Sequence, residues 1–501
     1  MTKSNPWLVL AIISSALLLI GIDMTVLNVA LPSLSQQLGA TTTEKLWMVN
    51  AYSLVMAGLL PGFGTLADRV GSRTILIWGL IVFGVSSTLA AFAPSPTVLI
   101  AARGLLAVGA AMMMPATLSI VRLVFRQDQE RATAIGIWGA VWAGAAALGP
   151  IIGGILLEHF WWGAVFLINV PIVIVTLVLA LTRIPHVPGN PDRRWDALTS
   201  AYLTISLIAL LYGLKGLLKP EIHWYEVLIS AALGIVFGWR FLHRQTATSA
   251  LLIDFKLFQK GRFSLGATVA LVAGFSLMGV QYILSQELQL VRGLSPLQAG
   301  LFVLPIALAS FVSGPAVGGL MLRVGMERMM AIMMGLAALG VALYTYSGHL
   351  APMVWEMTTM GLIGLGMGGG MAVASTAIMM GAPEEQAGMA GSIESISYEL
   401  GGTLGVAVMG SVMASSYATS FAPPAEANLP ASAWDSIDQT LLALTNVATA
   451  TQQTVVSAVN AAFLNGVDSA LFIGTTIMVA LFVGTVAFAW GKKGDVSIVH
   501  H

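Results

Sequence analysis

Apolar runs of about 20 residues recur along the whole chain, with short polar segments between them. An α-helix rises about 1.5 Å per residue, so a run of this length crosses the hydrocarbon core of a bilayer. A transmembrane barrel would instead show segments of about ten residues with alternating hydrophobicity, and the chain lacks that pattern. The sequence therefore predicts an all-α polytopic membrane protein.

The apolar runs divide into fourteen predicted spans. They lie near residues 7–30, 46–66, 74–93, 97–120, 132–157, 163–183, 198–217, 225–243, 263–286, 298–321, 329–348, 353–380, 389–414 and 469–491. The first run is too long for a signal peptide, contains Asp23 and lacks a convincing cleavage site, so we expect it to remain as a span.

Lysine and arginine indicate the orientation of the spans, because positive charges concentrate in cytoplasmic loops. With the N-terminus inside, eighteen of the 23 Lys and Arg residues fall in cytoplasmic segments, and Arg103 lies within a span. This distribution favours an even number of spans, with both termini in the cytoplasm. From Met329 to Gly491 there are nine carboxylates and no Lys or Arg, so the last third of the chain is acidic.

The composition excludes several classes of protein. The chain is 57% hydrophobic and 9% charged, whereas soluble domains carry about 25% charged residues. It has no cysteine, and its seven histidines form no ligand-like cluster. Phosphate-binding loops and the nucleophile or zinc motifs of enzymes are missing as well. We therefore expect no metal, no cofactor, no nucleic-acid partner and no enzymatic activity.

An internal repeat is visible at an offset of 254 residues, where residues 61–71 and 315–325 share six identities. Both copies lie at the cytoplasmic end of a predicted span, as duplicated halves require. The duplication predicts six helices, an inserted pair and six further helices. The predicted units are an N-terminal six-helix bundle at 1–185, an inserted helix pair with cytoplasmic linkers at 186–262, and a C-terminal six-helix bundle at 263–501 with an extracytoplasmic loop at 415–468.

Residues 64–73 read GTLADRVGSR and closely resemble the signature loop between the second and third helices of the major facilitator superfamily. Glycines permit close helix approach, an acid can cap or pair with a neighbouring helix, and arginines hold the cytoplasmic face. The resemblance implies a conformational gate, although the arginines could be simple topology anchors. The implied gate residues are Gly64, Asp68, Arg69, Gly71 and Arg73.

Residues 144–154 read GAAALGPIIGG and resemble the antiporter motif in the fifth helix of drug exporters of that superfamily. Small residues let two helices pack closely, and proline adds a bend. Ordinary small-residue packing is the alternative. The motif residues are Gly144, Gly149, Pro150, Gly153 and Gly154.

Residues 21–32 read GIDMTVLNVALP and resemble the first-helix signature of the fourteen-helix drug:proton antiporters. The resemblance covers nearly the whole chain and is nearest to the SmvA-type and QacA-type exporters of quaternary ammonium compounds and viologens. It implies the major facilitator fold with 14 transmembrane helices (6 + 2 + 6). The fourth-helix motif is partial, because Arg103 and Gly109 match but Leu106 and Ala107 replace the usual Gln-Gly.

Carboxylates inside spans are candidates for the chemistry, because an ionised carboxylate costs about 2.5–3.5 kcal/mol on insertion scales. Asp23 lies deep in the first span, and Glu394 and Glu399 lie in the thirteenth. Their spacing of five puts these two glutamates about 140° apart around a helix, which favours two separate roles. The alternative for Asp23 is a structural hydrogen bond to Asn28 or Asn50.

In the resembling exporters, acids at the positions of Asp23, Glu394 and Glu399 serve substrate and proton handling. We expect these three residues, with Arg103, to form the substrate and proton-coupling site. Burial favours the neutral form of a carboxyl group, whereas a bound cation favours the ionised form and expels the proton. Because this coupling is reciprocal, it would give antiport once it is joined to alternating access.

Aromatic side chains could complete a cation site, since each cation–π contact contributes about 0.5–2 kcal/mol. Most membrane aromatics are packing or interfacial residues instead. The candidates are Tyr52, Trp138, Trp142, Tyr282 and Tyr398. Near the outer span ends, Glu287 and Glu356 could be solvated, and the 415–468 loop could be either a lid or an inert ordered loop.

The expected function is a proton-coupled multidrug efflux antiporter for hydrophobic organic cations, driven by the proton gradient. A superfamily transporter of a neutral or anionic metabolite is the alternative, although it would more often need Lys or Arg in central spans. The expected location is the bacterial cytoplasmic (inner) membrane. We expect a monomer whose partners are small organic cations, protons and the lipid bilayer.

Overall fold

The structure is a computed structural model, and it describes residues 5–125, 127–186, 188–190, 195–218, 222–247, 252–347, 352–383, 387–444 and 449–491. Helices occupy most of these residues, and none of the described residues forms a strand. The all-α prediction is confirmed. The predicted linkers within 186–262 fall partly outside the described residues.

The α-helices follow one another with short connections. They are α1 Pro6–Leu38, α2 Thr42–Val70, α3 Ser72–Ala91, α4 Pro96–Val124, α5 Asp128–His159, α6 Ala164–Leu167, α7 Asn169–Arg183, α8 Ala197–Leu217, α9 Trp224–Ala247, α10 Gly261–Gln286, α11 Pro296–Val324, α12 Met326–Ser347, α13 Met353–Gly381, α14 Ala387–Ser420, α15 Ile437–Ala443 and α16 Thr449–Gly491. A π-helix, Glu287–Val291, continues α10.

In the described part of the chain, thirteen helical segments are long and apolar enough to cross a membrane. Within α5, the apolar segment Leu148–His159 is shorter than these thirteen segments. The predicted extracytoplasmic loop is shorter than expected, because α14 extends to Ser420 and α16 begins at Thr449. The second part of the predicted loop is therefore helical and belongs to α16.

The helices α2 and α11 have the same construction at the 254-residue offset. Each has 29 residues and begins with a capping box, at Thr41 in one and Ser295 in the other. Each ends at a glycine with positive φ, 104° at Gly71 and 90° at Gly325. Only glycine adopts such angles without strain. The matching bounds and caps support the duplication read from the sequence.

Helices α1–α7 pack mainly on one another, as do α10–α16, and we name these groups the N-terminal and C-terminal halves. The seam between them consists chiefly of α5 against α11 and α2 against α14, with α1 touching α10. One end of the bundle carries residues 421–444 and is named the loop end. The opposite end, which carries Asn5 and Gly71, is named the terminus end.

Small residues of the antiporter motif let α5 contact two helices closely. Gly149 faces α1, where an added Cβ would lie 1.9 Å from Thr25 Oγ1. Gly154 faces α11, where an added Cβ would lie 2.4 Å from the Leu297 Cα. A Cβ on Gly300 would in turn meet the carbonyl oxygen of Pro150 at 2.6 Å. The motif therefore lies at the seam between the halves.

The inserted pair packs on the outside of the N-terminal half. Helix α8 lies against α2, with Thr204 over Gly58 and Ser200 over Gly62. Helix α9 packs mainly on α8, and apolar side chains such as Trp239 face outward from it. Because the outer face of α9 is apolar, it suits contact with lipid.

We expect Gly149→Ala to lower the thermal unfolding temperature, because its Cβ would also lie 3.1 Å from the Ile22 carbonyl, which cannot rotate away. Gly144→Ala in the same motif is the control, since nothing lies within 4 Å of its Cβ. That control should be neutral or stabilise by up to about 1 kcal/mol. Differential scanning fluorimetry in detergent measures both, and equal melting of the two variants would contradict the packing.

Candidate functional site

Asp23 and Arg103 form a buried ion pair in the N-terminal half. Arg103 Nη1 donates to Asp23 Oδ2 at 2.5 Å, and both side chains are almost fully buried. Asn169 Nδ2 donates to the other carboxylate oxygen at 3.3 Å and also to Ser87 Oγ. Asp23 is therefore held by an arginine and an amide, not by Asn28 or Asn50 as the structural alternative expected.

Arg103 is fixed by two further contacts from α2. Its Nε donates to the Met48 carbonyl at 3.2 Å, and its guanidinium lies 4.5 Å from the centroid of the Tyr52 ring. A cation over an aromatic face is stabilised by the ring quadrupole. Tyr52 thus contacts a cation of the protein itself.

Glu399 reaches the same region from the C-terminal half. It lies on α14, is 3% exposed, and faces α2 across the seam. Ser53 lies within hydrogen-bonding reach of its carboxylate, and Arg103 is close enough to interact with it electrostatically. Its Oε2 has no hydrogen-bond partner among the described residues. The site therefore holds two carboxylates and one arginine, with one carboxylate on each side of the seam.

Glu394 lies away from this cluster. It is partly buried and accepts a hydrogen bond from Ser375 Oγ of α13 at 3.1 Å. Glu394 and Glu399 thus have different neighbours, in keeping with the separation that their spacing requires.

The other aromatic candidates occupy three places. Trp138 donates from Nε1 to Thr117 Oγ1 at 3.1 Å, which links α5 to α4. Trp142 lies one turn further along α5, near Gly21 of α1. Tyr282 is buried against Gly410 near the loop end, and Tyr398 neighbours Gly274. Of the five aromatic candidates, Tyr52 is the one whose ring contacts the Arg103 guanidinium.

The predicted gate loop connects α2 to α3 at the terminus end. Arg73 donates to the carbonyls of Ala180 and Leu181, which satisfies the C-terminal end of α7. The Asp68 side chain is exposed, and its backbone carbonyl accepts from the Asn190 amide at 2.9 Å. Arg69 is exposed, and Gly64 lies at ordinary contact distance from Pro115.

A segment of the C-terminal half covers the α1–α2 turn at the loop end. Lys45 forms a buried ion pair with Asp438 of α15. Asp435 accepts from the Thr42 amide at 3.0 Å, and Gln439 donates to the Gly39 carbonyl at 3.3 Å. These contacts join the two halves, and we name the segment 421–444 the latch.

Further hydrogen bonds between the halves also lie toward the loop end. Ser285 of α10 donates to the Asn28 carbonyl, and Gln289 donates to the Val29 carbonyl at 3.0 Å. At the terminus end, the ion pair Arg262–Glu327 and the hydrogen bonds from Arg73 to the Ala180 and Leu181 carbonyls each lie within one half. The halves are therefore fastened to each other at the loop end.

Glu287 and Glu356 are buried, contrary to the expectation that they could be solvated. Both accept from Arg292 at 2.8 Å, and Tyr344 donates to Glu287 at 3.2 Å. The backbone amide of Arg292 bonds to the Glu287 carbonyl, five residues back. The π-helical turn therefore puts Glu287 and Arg292 on the same face of the helix, whereas an α-helix would place them about 140° apart.

Sequence reasoning missed several of these partners. Asn169 was not among the candidate residues, and nothing in its spacing indicated a contact with Asp23. The pairing of Lys45 with Asp438 spans 393 residues, so only the three-dimensional structure reveals it. An isolated lysine at the start of the second span, together with an acid in the outer loop between the last two spans, was the one available signal.

Comparisons with known proteins agree with this architecture. The Major Facilitator Superfamily model matches residues 13–406. The methyl viologen resistance protein SmvA of Salmonella typhimurium is 39% identical over 483 residues, covering 95% of this chain and 97% of that protein. The multidrug efflux pump LfrA of Mycolicibacterium smegmatis is 34% identical over 490 residues, covering 97% of each.

Solved structures show the same fold. A bacterial homolog of the human lysosomal transporter Spinster, in an inward-facing and unoccupied conformation, matches with a TM-score of 0.69 at 16% identity. The match covers 98% of this chain and 99% of that one.

We expect Asp23→Asn to destabilise the protein by about 3–5 kcal/mol, because it leaves the Arg103 charge buried without its partner. The double variant Asp23→Asn with Arg103→Gln should be less destabilised than the single variant, since both charges are gone. Chemical unfolding of the two single variants and the double variant measures this coupling. If the stability losses of the two single variants simply added up in the double variant, the ion pair would be contradicted.

Proposed function

The chain belongs to the major facilitator superfamily and is a transporter, and we propose that it is a proton-coupled multidrug efflux antiporter. Its proposed substrates are hydrophobic organic cations of the quaternary ammonium, viologen, bisbiguanide and dye types. The observation that carries the proposal is the position of Glu399, which faces the Asp23–Arg103 pair across the seam. The names of the relatives, which include methyl viologen resistance and multidrug efflux, support it.

The coupling follows from competition for charge. Arg103 neutralises Asp23 directly, which leaves Glu399 to be neutralised by a proton or by a bound cation. A cation that binds near Glu399 favours its ionised form and releases the proton. By reciprocity, protonation of Glu399 weakens cation binding. The proton gradient drives export, and the mechanism needs no cofactor. Glu394 is proposed as a second acidic contact for the cation.

The proposed topology has fourteen spans in a six-plus-two-plus-six arrangement. The bundles are residues 1–185 and 263–501, with the inserted pair within 186–262, and α5 supplies the span that completes the count. We place both termini in the cytoplasm of a bacterial cell, with the bundle in the inner membrane as a monomer. On this topology the loop end is extracytoplasmic, and its contacts describe an inward-facing state.

The latch then acts as an outer closure. For the halves to separate at the loop end, the Lys45–Asp438 pair and the contacts of Asp435 with Thr42 must break. Both charges of that pair are buried, so separation requires them to be hydrated or paired again. The lid interpretation of this loop is therefore preferred over an inert loop.

Transport in liposomes tests the antiport. With an imposed pH gradient, a fluorescent monovalent cation should move against a proton flux, and a dicationic viologen should compete with it. Glu399→Gln should abolish the coupled proton flux, because a neutral amide cannot exchange a proton. Asp23→Asn and Glu394→Gln should reduce cation transport.

Glu327→Gln is the matched control, since Glu327 forms an exposed ion pair with Arg262 at the terminus end of the same half. Its coupled flux should equal that of the parent protein. Movement of a neutral or anionic solute without cation transport would leave the family intact and overturn the substrate class.

We expect Asp438→Asn to increase the fraction of molecules that are open at the loop end. Spin labels can be attached without removing native cysteines, because the chain has none. Labels at Phe160 and Tyr346, which are 59% and 92% exposed, report the separation of the halves there. Glu426→Gln, an exposed acid in the same latch, should leave the distances unchanged. Identical distance distributions for both variants would contradict the latch.

A further inference from the structure

Buried polar atoms without a hydrogen-bond partner are concentrated on three helices. Eleven such side-chain atoms occur among the described residues, and eight of them lie on α2, α10 and α14. These eight are Asn50 Nδ2 and Oδ1, Tyr52 Oη, Ser276 Oγ, Tyr282 Oη, Gln286 Nε2, Glu399 Oε2 and Thr403 Oγ1. Buried polar groups almost always bond to protein or to ordered water, so this group requires an explanation.

The packing of α2 against α14 places several of these groups at the same level, meaning the same height along the helix axes. Leu46 lies beside Gly410, and Ser53 lies within reach of Glu399. The two helices therefore run antiparallel here. Residues four apart share a helix face, so Asn50 lies on the face of Leu46, and Thr403 lies on the face of Glu399. Asn50 and Thr403 then meet at one level of the seam.

Helix α10 runs parallel to α14 and adds to the same column. A Cβ on Gly274 would contact the Tyr398 carbonyl at 2.3 Å, and a Cβ on Gly279 would lie 3.2 Å from the Gly405 carbonyl. Ser276 falls between these two contacts, which puts it at the level of Thr403.

Nearer the loop end, Tyr282 packs on Gly410. Gln286 lies close to Tyr282, although its Nε2 does not meet hydrogen-bond geometry with the Tyr282 hydroxyl. Gln286 Oε1 accepts from Lys45 Nζ at 3.4 Å, and Lys45 pairs with Asp438 in the latch.

By this register, the unpartnered groups follow one another along the seam, and we name them the polar column. It begins at Glu399 and Tyr52, passes Asn50, Thr403 and Ser276, and reaches Tyr282 and Gln286 beneath the latch. From Glu399 to Gly410 the helix rises by about 16 Å, since each residue adds about 1.5 Å. A buried water typically makes about three hydrogen bonds to otherwise unsatisfied polar groups. Amide, hydroxyl and carboxylate groups along this column supply both donors and acceptors.

We propose that a row of bound water molecules occupies this column and conducts protons between the loop end and Glu399. In each step, one O–H bond forms as another breaks along the row, so a proton enters at one end as another leaves at the other. An organic cation cannot follow, because the surrounding helices are in contact. The function of the row rests on the proposed role of Glu399 in proton coupling.

Radiolytic hydroxyl labelling tests the waters directly, because hydroxyl radicals formed at bound water modify adjacent tyrosines. Four tyrosines are 5% exposed or less. Tyr52 and Tyr282 have no hydroxyl partner, whereas Tyr417 bonds to Thr440 and Tyr344 bonds to Glu287. We expect Tyr52 and Tyr282 to be labelled roughly threefold faster or more than the other two, because only they would adjoin bound water. Equal rates for all four would overturn the water row.

A second measurement uses a matched pair of variants. Thr403→Val removes a hydroxyl from the column, whereas Thr359→Val removes a hydroxyl that donates within its own helix to the Glu356 carbonyl at 2.7 Å. Labelling of Tyr52 should fall by about half or more in the first variant, since a water there would lose a partner. It should not change in the second.

Both variants can be checked for folding by their unfolding temperatures. Equal Tyr52 labelling in the two folded variants would overturn the row. Labelling does not depend on transport, so failure of the antiport would leave this result unaffected, and the reverse also holds.

Discussion

A buried charge must be neutralised where it lies, and Arg103 can neutralise only one of the two carboxylates near it. Asp23 forms the ion pair with Arg103, and Asn169 donates a hydrogen bond to its other carboxylate oxygen. Glu399 approaches from the other half with one oxygen unpartnered among the described residues. The remaining negative charge favours a proton or an organic cation at this point. The rest of the structure places this unneutralised carboxylate at the seam between the two halves.

The fold makes that placement possible through close helix contacts. Gly149 and Gly154 bring α5 against α1 and α11, which positions Asp23 near the seam. Ion pairs and hydrogen bonds of the latch fasten the halves at the loop end, through Lys45 and Asp438. At the terminus end, the Arg262–Glu327 pair and the hydrogen bonds of Arg73 lie within one half. The loop end therefore carries a fastening between the halves that the proposed alternating access would have to break and reform.

The helical architecture was predictable because apolar length and the glycine at each helix end are local signals. The 254-residue repeat predicted that α2 and α11 would match, and their capping boxes and terminal glycines do. Asp23 and Glu399 were predictable as candidates, since a carboxylate in a span is costly. Their arrangement around Arg103 was not, because packing between distant helices decides it. Glu287 and Glu356 were misjudged for the same reason, since their depth depends on Arg292 and the π-helical turn.

The most direct test of the competition for charge is the number of protons released when a cation binds to the detergent-solubilised protein. A weakly buffered solution with a pH indicator reports this number on addition of a viologen or a quaternary ammonium compound. We predict proton release by the parent protein, and none by Glu399→Gln at a cation concentration that still saturates the site. Undiminished release by Glu399→Gln would contradict it, because the proton would then come from another group.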